Sequence, residues 1–131
     1  MSFKDVNECG IGLLADVAIT DLSSVAQTTL YTVPTGKVFF LFAAMLRAAA
    51  DVGANLAFTI GKVGALTDFI GTTNGDNLDA AGDGIWILPV PSATPATIKT
   101  YAGGTVIQFD VTVAGNAVAG RLFLFGMLYD A

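Results

Sequence analysis

Short segments in which apolar residues recur at every second position run along this chain, and they constrain its fold most. In residues 11–19, for example, Leu13 and Ala15 fall on the same side of an extended chain. Residues 54–60 and 105–113 show the same period of two. Successive side chains of a β-strand point to opposite faces, so this period is typical of a strand with one buried face. The chain is therefore predicted to consist of β-strands.

Two further segments are apolar at nearly every position. Residues 38–46 read VFFLFAAML, and residues 121–129 read RLFLFGMLY. Strands that are covered on both faces have this composition. One covering layer would be the domain core, and the other would be a neighbouring subunit. The alanines of residues 37–50 also allow a helix, but the β-branched and aromatic start of this segment favours a strand.

Glycine and proline separate the predicted strands. Gly103 and Gly104 are typical of a turn, because glycine tolerates backbone conformations that other residues avoid. Pro89 and Pro91 indicate that their strand lies at a sheet edge or ends there, since proline cannot donate a ladder hydrogen bond. The predicted strands are residues 11–19, 28–33, 37–49, 54–61, 84–90, 97–102, 105–113 and 118–129.

These segments define the expected fold class. About eight strands without a convincing helix between them predict an all-β protein, an antiparallel β-sandwich that is jelly-roll-like. A length of 131 residues allows one domain. We assign residues 11–131 to this sandwich and residues 1–10 to an N-terminal arm. Residues 66–84, which are rich in aspartate and glycine, are predicted to form a long surface loop.

The composition argues against several classes of function. The chain has no histidine and one cysteine, so a zinc site, a catalytic triad and an internal disulfide are not expected. Its net charge of -5 comes without a basic stripe, which argues against nucleic-acid binding. The sequence contains no phosphate-binding loop and no nucleophile elbow. We therefore predict a protein that is not an enzyme and needs no cofactor.

The distribution of apolar residues bears on location. Residues 1–10 lack the basic head and apolar stretch of a signal peptide, so synthesis in the cytoplasm is expected. The longest dense apolar run, residues 38–46, is much shorter than the ~20 residues of a membrane-spanning helix, so no membrane association is expected. With 53% hydrophobic and 13% charged residues, the chain is expected to bury apolar surface in a core and between subunits.

The aspartate-rich segment is the one place where the sequence suggests a metal site. Carboxylate and amide oxygens are ligands that Ca²⁺ prefers, so Asn74, Asp76 and Asp79 are candidate ligands. The spacing does not match an EF-hand loop, because Leu78 stands where an acidic or amide residue is needed. Asparagine and aspartate also cap their own backbone in turns. We favour such a turn and keep the metal site as the alternative.

The aromatic residues allow two interpretations. Trp86 and Tyr101 stand apart from the others. Their rings could stack on a sugar, or they could fill the core and an interface, and we favour the structural interpretation. The phenylalanines of the two segments that are apolar on both faces are predicted to divide between the core and a subunit interface. They are Phe39, Phe40, Phe42, Phe123 and Phe125.

One short segment carries a resemblance to a known group of proteins. In residues 30–41, LYTVPTGKVFFL, a strand ends in Tyr-Thr-Val-Pro, a Gly-Lys turn follows, and a second apolar strand begins. This pattern resembles small β-sandwich proteins of tailed-phage virions, which include head decoration or cement proteins. The resemblance covers these residues together with the length, the composition and the number of strands.

The resemblance implies a function and partners. Proteins of this group typically assemble as trimers on the outside of the capsid, stabilise it and have no catalytic residues. The chain is then expected to be a homotrimer that binds the major capsid protein on the outer surface of a phage head. The N-terminal arm or the aspartate-rich loop is expected to meet the capsid. The candidate contacts are Phe3, Lys4, Asp5, Asp76 and Asp79.

Two alternative functions remain open. A carbohydrate-binding module would use Trp86, Tyr101 and the aspartate-rich loop, with or without Ca²⁺. A structural subunit of a spike or tail would share the fold and composition of a decoration protein, so the sequence hardly separates these two roles.

Overall fold

The computed structural model describes residues 10–89 and 99–131. Within these ranges the chain forms nine β-strands and no helix, and hence no helix that could cross a membrane. The all-β prediction is confirmed. The strands are β1 (Gly10–Ile19), β2 (Gln27–Thr32), β3 (Lys37–Ala48), β4 (Ala57–Lys62), β5 (Ala65–Asn74), β6 (Gly84–Ile87), β7 (Thr100–Ala102), β8 (Val106–Val113) and β9 (Gly120–Asp130).

The strands form two antiparallel sheets. The first sheet has the order β1-β9-β3-β6, and β7 pairs with the same edge of β3 as β6 does. The second sheet has the order β2-β8-β4-β5. Consecutive strands belong to different sheets, except for β4 with β5 and β6 with β7. This interleaving is that of a jelly roll, so the predicted sandwich is confirmed.

The inner faces of the two sheets meet in one hydrophobic core. Phe39 of β3 packs edge-on against Tyr31 of β2, with ring centroids 5.1 Å apart, and this contact joins the sheets. Within the second sheet, the rings of Phe58 and Phe109 lie 5.2 Å apart. Each large apolar side chain that leaves water contributes about 1.5–3 kcal/mol. The fully buried inner faces therefore supply the main driving force for folding.

Most predicted strands agree with the observed ones, although their ends differ. The segment 37–50 forms β3, so the strand interpretation is confirmed and the helical one is wrong. Strand β6 ends at Ile87, before Pro89, and lies at an edge of the first sheet, as the prolines indicated. Strand β7 covers the second half of the predicted strand 97–102, and residues 97 and 98 lie outside the described residues.

The prediction of one long loop at residues 66–84 is wrong. The first half of this segment belongs to β5, which forms a hairpin with β4. Phe69 is the one buried side chain of β5, and Thr67 and Gly71, two residues away on either side, stand where an alternating strand would carry further apolar residues. Register shifts against β4 interrupt the alternation further. The sequence therefore lacked the periodic signal that reveals the other strands.

The remaining loop, residues 75–83, is anchored to the core. Leu78 is fully buried, and its carbonyl accepts a hydrogen bond of 3.0 Å from the Val52 amide. The Gly75 amide donates to the Leu56 carbonyl at 2.8 Å. Backbone hydrogen bonds to buried residues restrict a loop to one conformation. This segment is thus an ordered connection held against the chain between β3 and β4.

Gly126 of β9 occupies a position where no side chain fits. A Cβ there would overlap the Phe40 carbonyl oxygen and would lie 2.6 Å from Cε2 of Phe39. Both contacts are closer than van der Waals packing allows. The approach of β9 to β3 at this point therefore depends on glycine.

We expect Gly126→Ala to lower the free energy of unfolding by about 1–3 kcal/mol, the usual effect of overpacking a core. Gly71→Ala is the matched control, because a Cβ at this other strand glycine meets nothing within 4 Å. Chemical denaturation of both variants measures the difference. Equal midpoints for the two alanine variants would contradict the close approach at Gly126.

Candidate functional site

The two sheets differ in the chemistry of the faces that they turn away from the core. On the second sheet, Gln27 pairs with Asp110, and Thr29 pairs with Gln108. Gln108 and Asp110 alternate with buried residues along β8, so this row lies on the outer face. The outer face of the second sheet is therefore polar, as is usual for a sheet that faces water.

The outer face of the first sheet is apolar. Phe123 of β9 pairs with Met45 of β3, and Met45 pairs with Trp86 of β6. In the adjacent row, Phe125 of β9 pairs with Leu13 of β1. Residues that pair across antiparallel strands share a face, so these side chains form one surface, which we call the apolar face. It consists of Leu13, Phe40, Ala43, Met45, Trp86, Phe123, Phe125 and Met127.

Large side chains of the apolar face are accessible to solvent. Trp86 is 64% exposed, and Leu13 is 45% exposed. The rings of Trp86 and Phe125 lie 5.4 Å apart, and the ring of Phe40 meets that of Phe42 at 4.6 Å. Contiguous apolar patches of this kind mark interaction surfaces on proteins. The apolar face is therefore the candidate functional site.

Charged residues bound the apolar face at both ends. At one end, Lys37 Nζ lies 2.6 Å from Asp130 Oδ1. At the other end, Arg121 donates from Nε and Nη2 to the two carboxylate oxygens of Asp16, with an Nη2–Oδ2 distance of 3.0 Å. An apolar centre with a polar rim is the usual arrangement of a protein–protein interface.

The five phenylalanines that the sequence singled out occupy two environments. Phe39 is fully buried in the core between the sheets. Phe40, Phe42, Phe123 and Phe125 are half-buried, and three of these four belong to the apolar face. Phe42 contacts that face through the ring of Phe40. The contact of these residues with a neighbouring subunit stays a prediction.

Trp86 and Tyr101 point to opposite sides of the first sheet. Trp86 pairs with Met45 on the outer face, whereas Tyr101 pairs with Phe39 on the inner face. Tyr101 is only 2% exposed. The two rings therefore do not form one stacking platform for a sugar, and a glycan site would have to use Trp86 without Tyr101.

Tyr101 belongs instead to a polar contact between the sheet edges. Asp68 Oδ1 of β5 lies 3.0 Å from Lys99 Nζ. The Tyr101 hydroxyl is near the same carboxylate but does not form a hydrogen bond with it. Burial raises the pKa of Asp68, but the hydrogen bond and the positive charge of Lys99, with the Tyr101 hydroxyl nearby, outweigh burial and leave this pKa below its usual value. Burial, reinforced by the Asp68 charge, raises the pKa of Tyr101.

The candidate metal ligands form a local turn. The Asn74 Nδ2 donates to Asp76 Oδ2 at 2.7 Å, and the Asp76 amide donates to Asn74 Oδ1 at 2.7 Å. Asp79 is exposed. Across residues 10–89 and 99–131, no group of three or more acidic, cysteine or histidine side chains is placed to hold a metal ion. The contacts of Asn74 and Asp76 are those of the backbone-capping turn that the sequence favoured.

The other candidate contacts lie at the beginning of the chain. Phe3, Lys4 and Asp5 fall outside the described residues. The predicted arm ends where β1 begins, at Gly10, which pairs with Leu128 of β9. A role for the arm in contacting a partner therefore stays a prediction.

The sequence-based prediction did not identify every residue of the apolar face. Alternation in residues 11–19 placed Leu13 and Ala15 on the same side, but a β-bulge between them turns Leu13 outward while Ala15 stays buried. Met45 and Met127 also belong to the face, and the only signal for them was that their segments are apolar at every position. Such segments do not tell which residues face the core.

Comparisons with known proteins identify a shared fold. No protein-family model and no curated protein matches the chain. The chain is similar to a chain in the acid-stable capsid of Helicobacter pylori bacteriophage KHP30, with 16% identity, a TM-score of 0.62 and 94% of both chains covered. It is also similar to a chain in the capsid asymmetric unit of cyanophage Pam1, with 12% identity and a TM-score of 0.57, over 94% of this chain and 85% of that chain. The likeness therefore extends over nearly the whole sandwich.

We expect the Asp68–Lys99 pair to make stability depend on pH. Because the pKa of Asp68 is lowered in the folded protein, its contribution is complete above the unfolded value of about 4 and is lost as the pH falls through the folded value. Asp68→Asn should lower the free energy of unfolding by about 1 kcal/mol near neutral pH and by less in acid. Denaturation of both proteins across pH measures this; a difference that does not change with pH would contradict it.

Proposed function

We propose that the protein is a structural subunit of a phage virion, a decoration or cement protein that binds the outer surface of the head as a homotrimer and stabilises it. The apolar face carries this proposal. Phe125, Met45 and Trp86 present aromatic and thioether surface on the outside of an otherwise closed sandwich. Permanent interfaces between subunits have this apolar composition and resemble a domain core that has been divided.

The comparisons support the virion part of the proposal. Both similar structures are described as phage capsids, and both matches cover 94% of this chain. The chain has no histidine and only one cysteine, which fits a protein with a structural role and no catalysis. A closed trimer that also covered the edge strands would protect them from open-ended association.

Stabilisation of the head would follow from mass action. A protein that binds the assembled lattice and not its free subunits stabilises the lattice by its own binding free energy. A trimer with three contacts to the shell adds avidity, since each further contact forms at a high effective concentration. The proposed partner is therefore the major capsid protein in its assembled form.

Two segments are the proposed contacts with the capsid. One is the N-terminal arm with Phe3, Lys4 and Asp5, and the other is the loop 75–83 with Asp76 and Asp79. The anchoring of this loop through Leu78 supports the second assignment, because a preordered loop loses little entropy on binding.

We expect Phe125→Ser to weaken the trimer without unfolding the subunit, because Phe125 lies on the apolar face and not in the core. The loss of a central aromatic contact should lower the free energy of association by about 2 kcal/mol or more per interface. Light scattering on a sizing column measures the native mass as a function of dilution. The wild-type protein should keep a mass near three chains, and the variant should dissociate.

Gln108→Ser is the matched control, since Gln108 lies on the polar outer face of the second sheet. It should leave the trimer intact. Trp86 is the only tryptophan and lies on the apolar face, so its emission should shift to longer wavelength on dissociation. A wild-type protein that is monomeric at every concentration would contradict the homotrimer.

We expect removal of residues 1–9 to leave the trimer folded and to weaken its binding to phage heads. The deletion ends before Gly10 because Gly10 pairs with Leu128 in the first sheet. Co-sedimentation with heads that lack the protein measures the binding, and light scattering checks the trimer. Unchanged binding by the shortened protein would remove the arm from the proposed contact.

A carbohydrate-binding module is the second candidate, because the 64% exposure of Trp86 leaves its ring open to a sugar. Glycan binding that is lost in Trp86→Ala would favour it over decoration. A spike or tail subunit is distinguished by immunogold labelling, which shows where on the particle the protein lies.

A further inference from the structure

A cleft of about 440 Å³ opens at the Arg121 end of the apolar face. Arg47 of β3 and Arg121 of β9 line it. Among the described residues, all others that line the cleft are alanine or glycine, so no large side chain of residues 10–89 or 99–131 fills the space beside the two guanidinium groups. These small residues are Ala48, Ala49, Ala81, Gly82, Ala119 and Gly120.

The placement of the two arginines is unusual. They are the only arginines in the sequence, and they are direct partners in the register of β3 and β9. Like charges that lie opposite each other across a sheet destabilise it. The core does not require this pairing, because both residues lie on the outer face. A bound anion would offset the repulsion.

Each guanidinium is held by one contact that leaves further donors available. Arg121 uses Nε and Nη2 for Asp16. Arg47 donates from Nε to the Gly82 carbonyl at 3.3 Å, and no carboxylate of the described residues lies within ion-pair distance of it. A guanidinium carries five N–H donors, so the Nη groups of Arg47 can bind an acceptor in the cleft.

The charge and shape of the cleft suit a carboxylate. Asp16 pairs with Arg121, whereas Arg47 has no ion-pair partner among residues 10–89 and 99–131. A carboxylate carries one negative charge and matches the planar fork of a guanidinium, whereas a phosphate dianion would exceed the available charge. The exposed methyl groups of Ala49 and Ala119 offer apolar walls to the methylene stem of an acidic side chain.

We propose that this cleft is a carboxylate-binding site that receives an acidic side chain of a partner protein, and that the partner is the capsid surface. The identity of the partner rests on the proposed function. The existence of the site rests only on the cleft and its two arginines. Ala81 and Gly82 of the cleft belong to the loop 75–83, which also carries Asp76 and Asp79. A capsid that meets this loop would therefore reach Arg47.

The site can be tested on the isolated protein with sodium acetate as the probe. Because the sequence has two arginines, a protein labelled with ¹⁵N at arginine Nε gives two Nε–Hε signals. We expect both signals to shift together and to saturate with acetate, beyond any shift with sodium chloride at equal ionic strength. Equal shifts of these signals with acetate and with chloride would overturn the site. A second copy of the chain that occupies the cleft and blocks acetate would also overturn it.

Arg47→Lys separates bidentate recognition from a simple charge effect. Lysine keeps the charge and loses the fork, so acetate should bind at least about tenfold more weakly to this variant. Lys62→Gln is the control that changes charge on the second sheet, and it should bind acetate like the wild type. Unchanged acetate binding in Arg47→Lys would overturn the bidentate site.

Binding to phage heads identifies the source of the carboxylate. We expect Arg47→Lys to weaken co-sedimentation with heads, and Lys62→Gln to leave it unchanged. If the wild type binds acetate but does not bind heads, the proposed function fails and the site stands. If the wild type and Arg47→Lys bind heads equally, the capsid is overturned as the partner of this site.

Discussion

The pairing of β3 with β9 is the interaction on which the rest of the structure depends. Both strands lie inside the first sheet, and each has a partner strand on both edges. Their inner sides contribute Phe39 and Leu124 to the core, and their outer sides contribute Met45 and Phe125 to the apolar face. Apolar strands are stable when both faces are covered. The pair that builds the core therefore also presents an apolar surface on the outside of the sandwich.

Two β-bulges at the level of Phe125 adjust the neighbouring strands to β9. An extra residue, Leu14, interrupts the register of β1, and Phe42 interrupts that of β3. A shift of one residue exchanges the two faces of a strand. The bulges thereby bring Leu13 onto the outer face beside Phe125, while Ala15 of β1 and Ala44 of β3, which follow the bulges, face the core. The composition of the apolar face is thus a consequence of local irregularities at its centre.

These irregularities explain how far the sequence could be interpreted. Period-two alternation was sufficient to predict β8, because Ile107 and Phe109 face the core without interruption. It failed for β5, where Phe69 is the one buried residue, and for Leu13, where a bulge changes the face. The arginine pair could not be foreseen, because the register between two distant strands brings Arg47 and Arg121 together. Segments that are apolar at every position indicated a second covering layer but not which side chains meet it.

The surroundings of Trp86 favour a protein partner over a sugar. A sugar-binding site combines an aromatic ring with polar groups that bind hydroxyls. The register partner of Trp86 is Met45, and the ring beside it is that of Phe125, so neither neighbour offers a hydrogen bond. Aromatic residues and methionine are instead enriched at the centres of protein interfaces. The charged groups at the two ends of the apolar face would then fix the orientation of a protein partner. A partner bound in another orientation would place its apolar surface against Arg47 or Asp130, which is unfavourable.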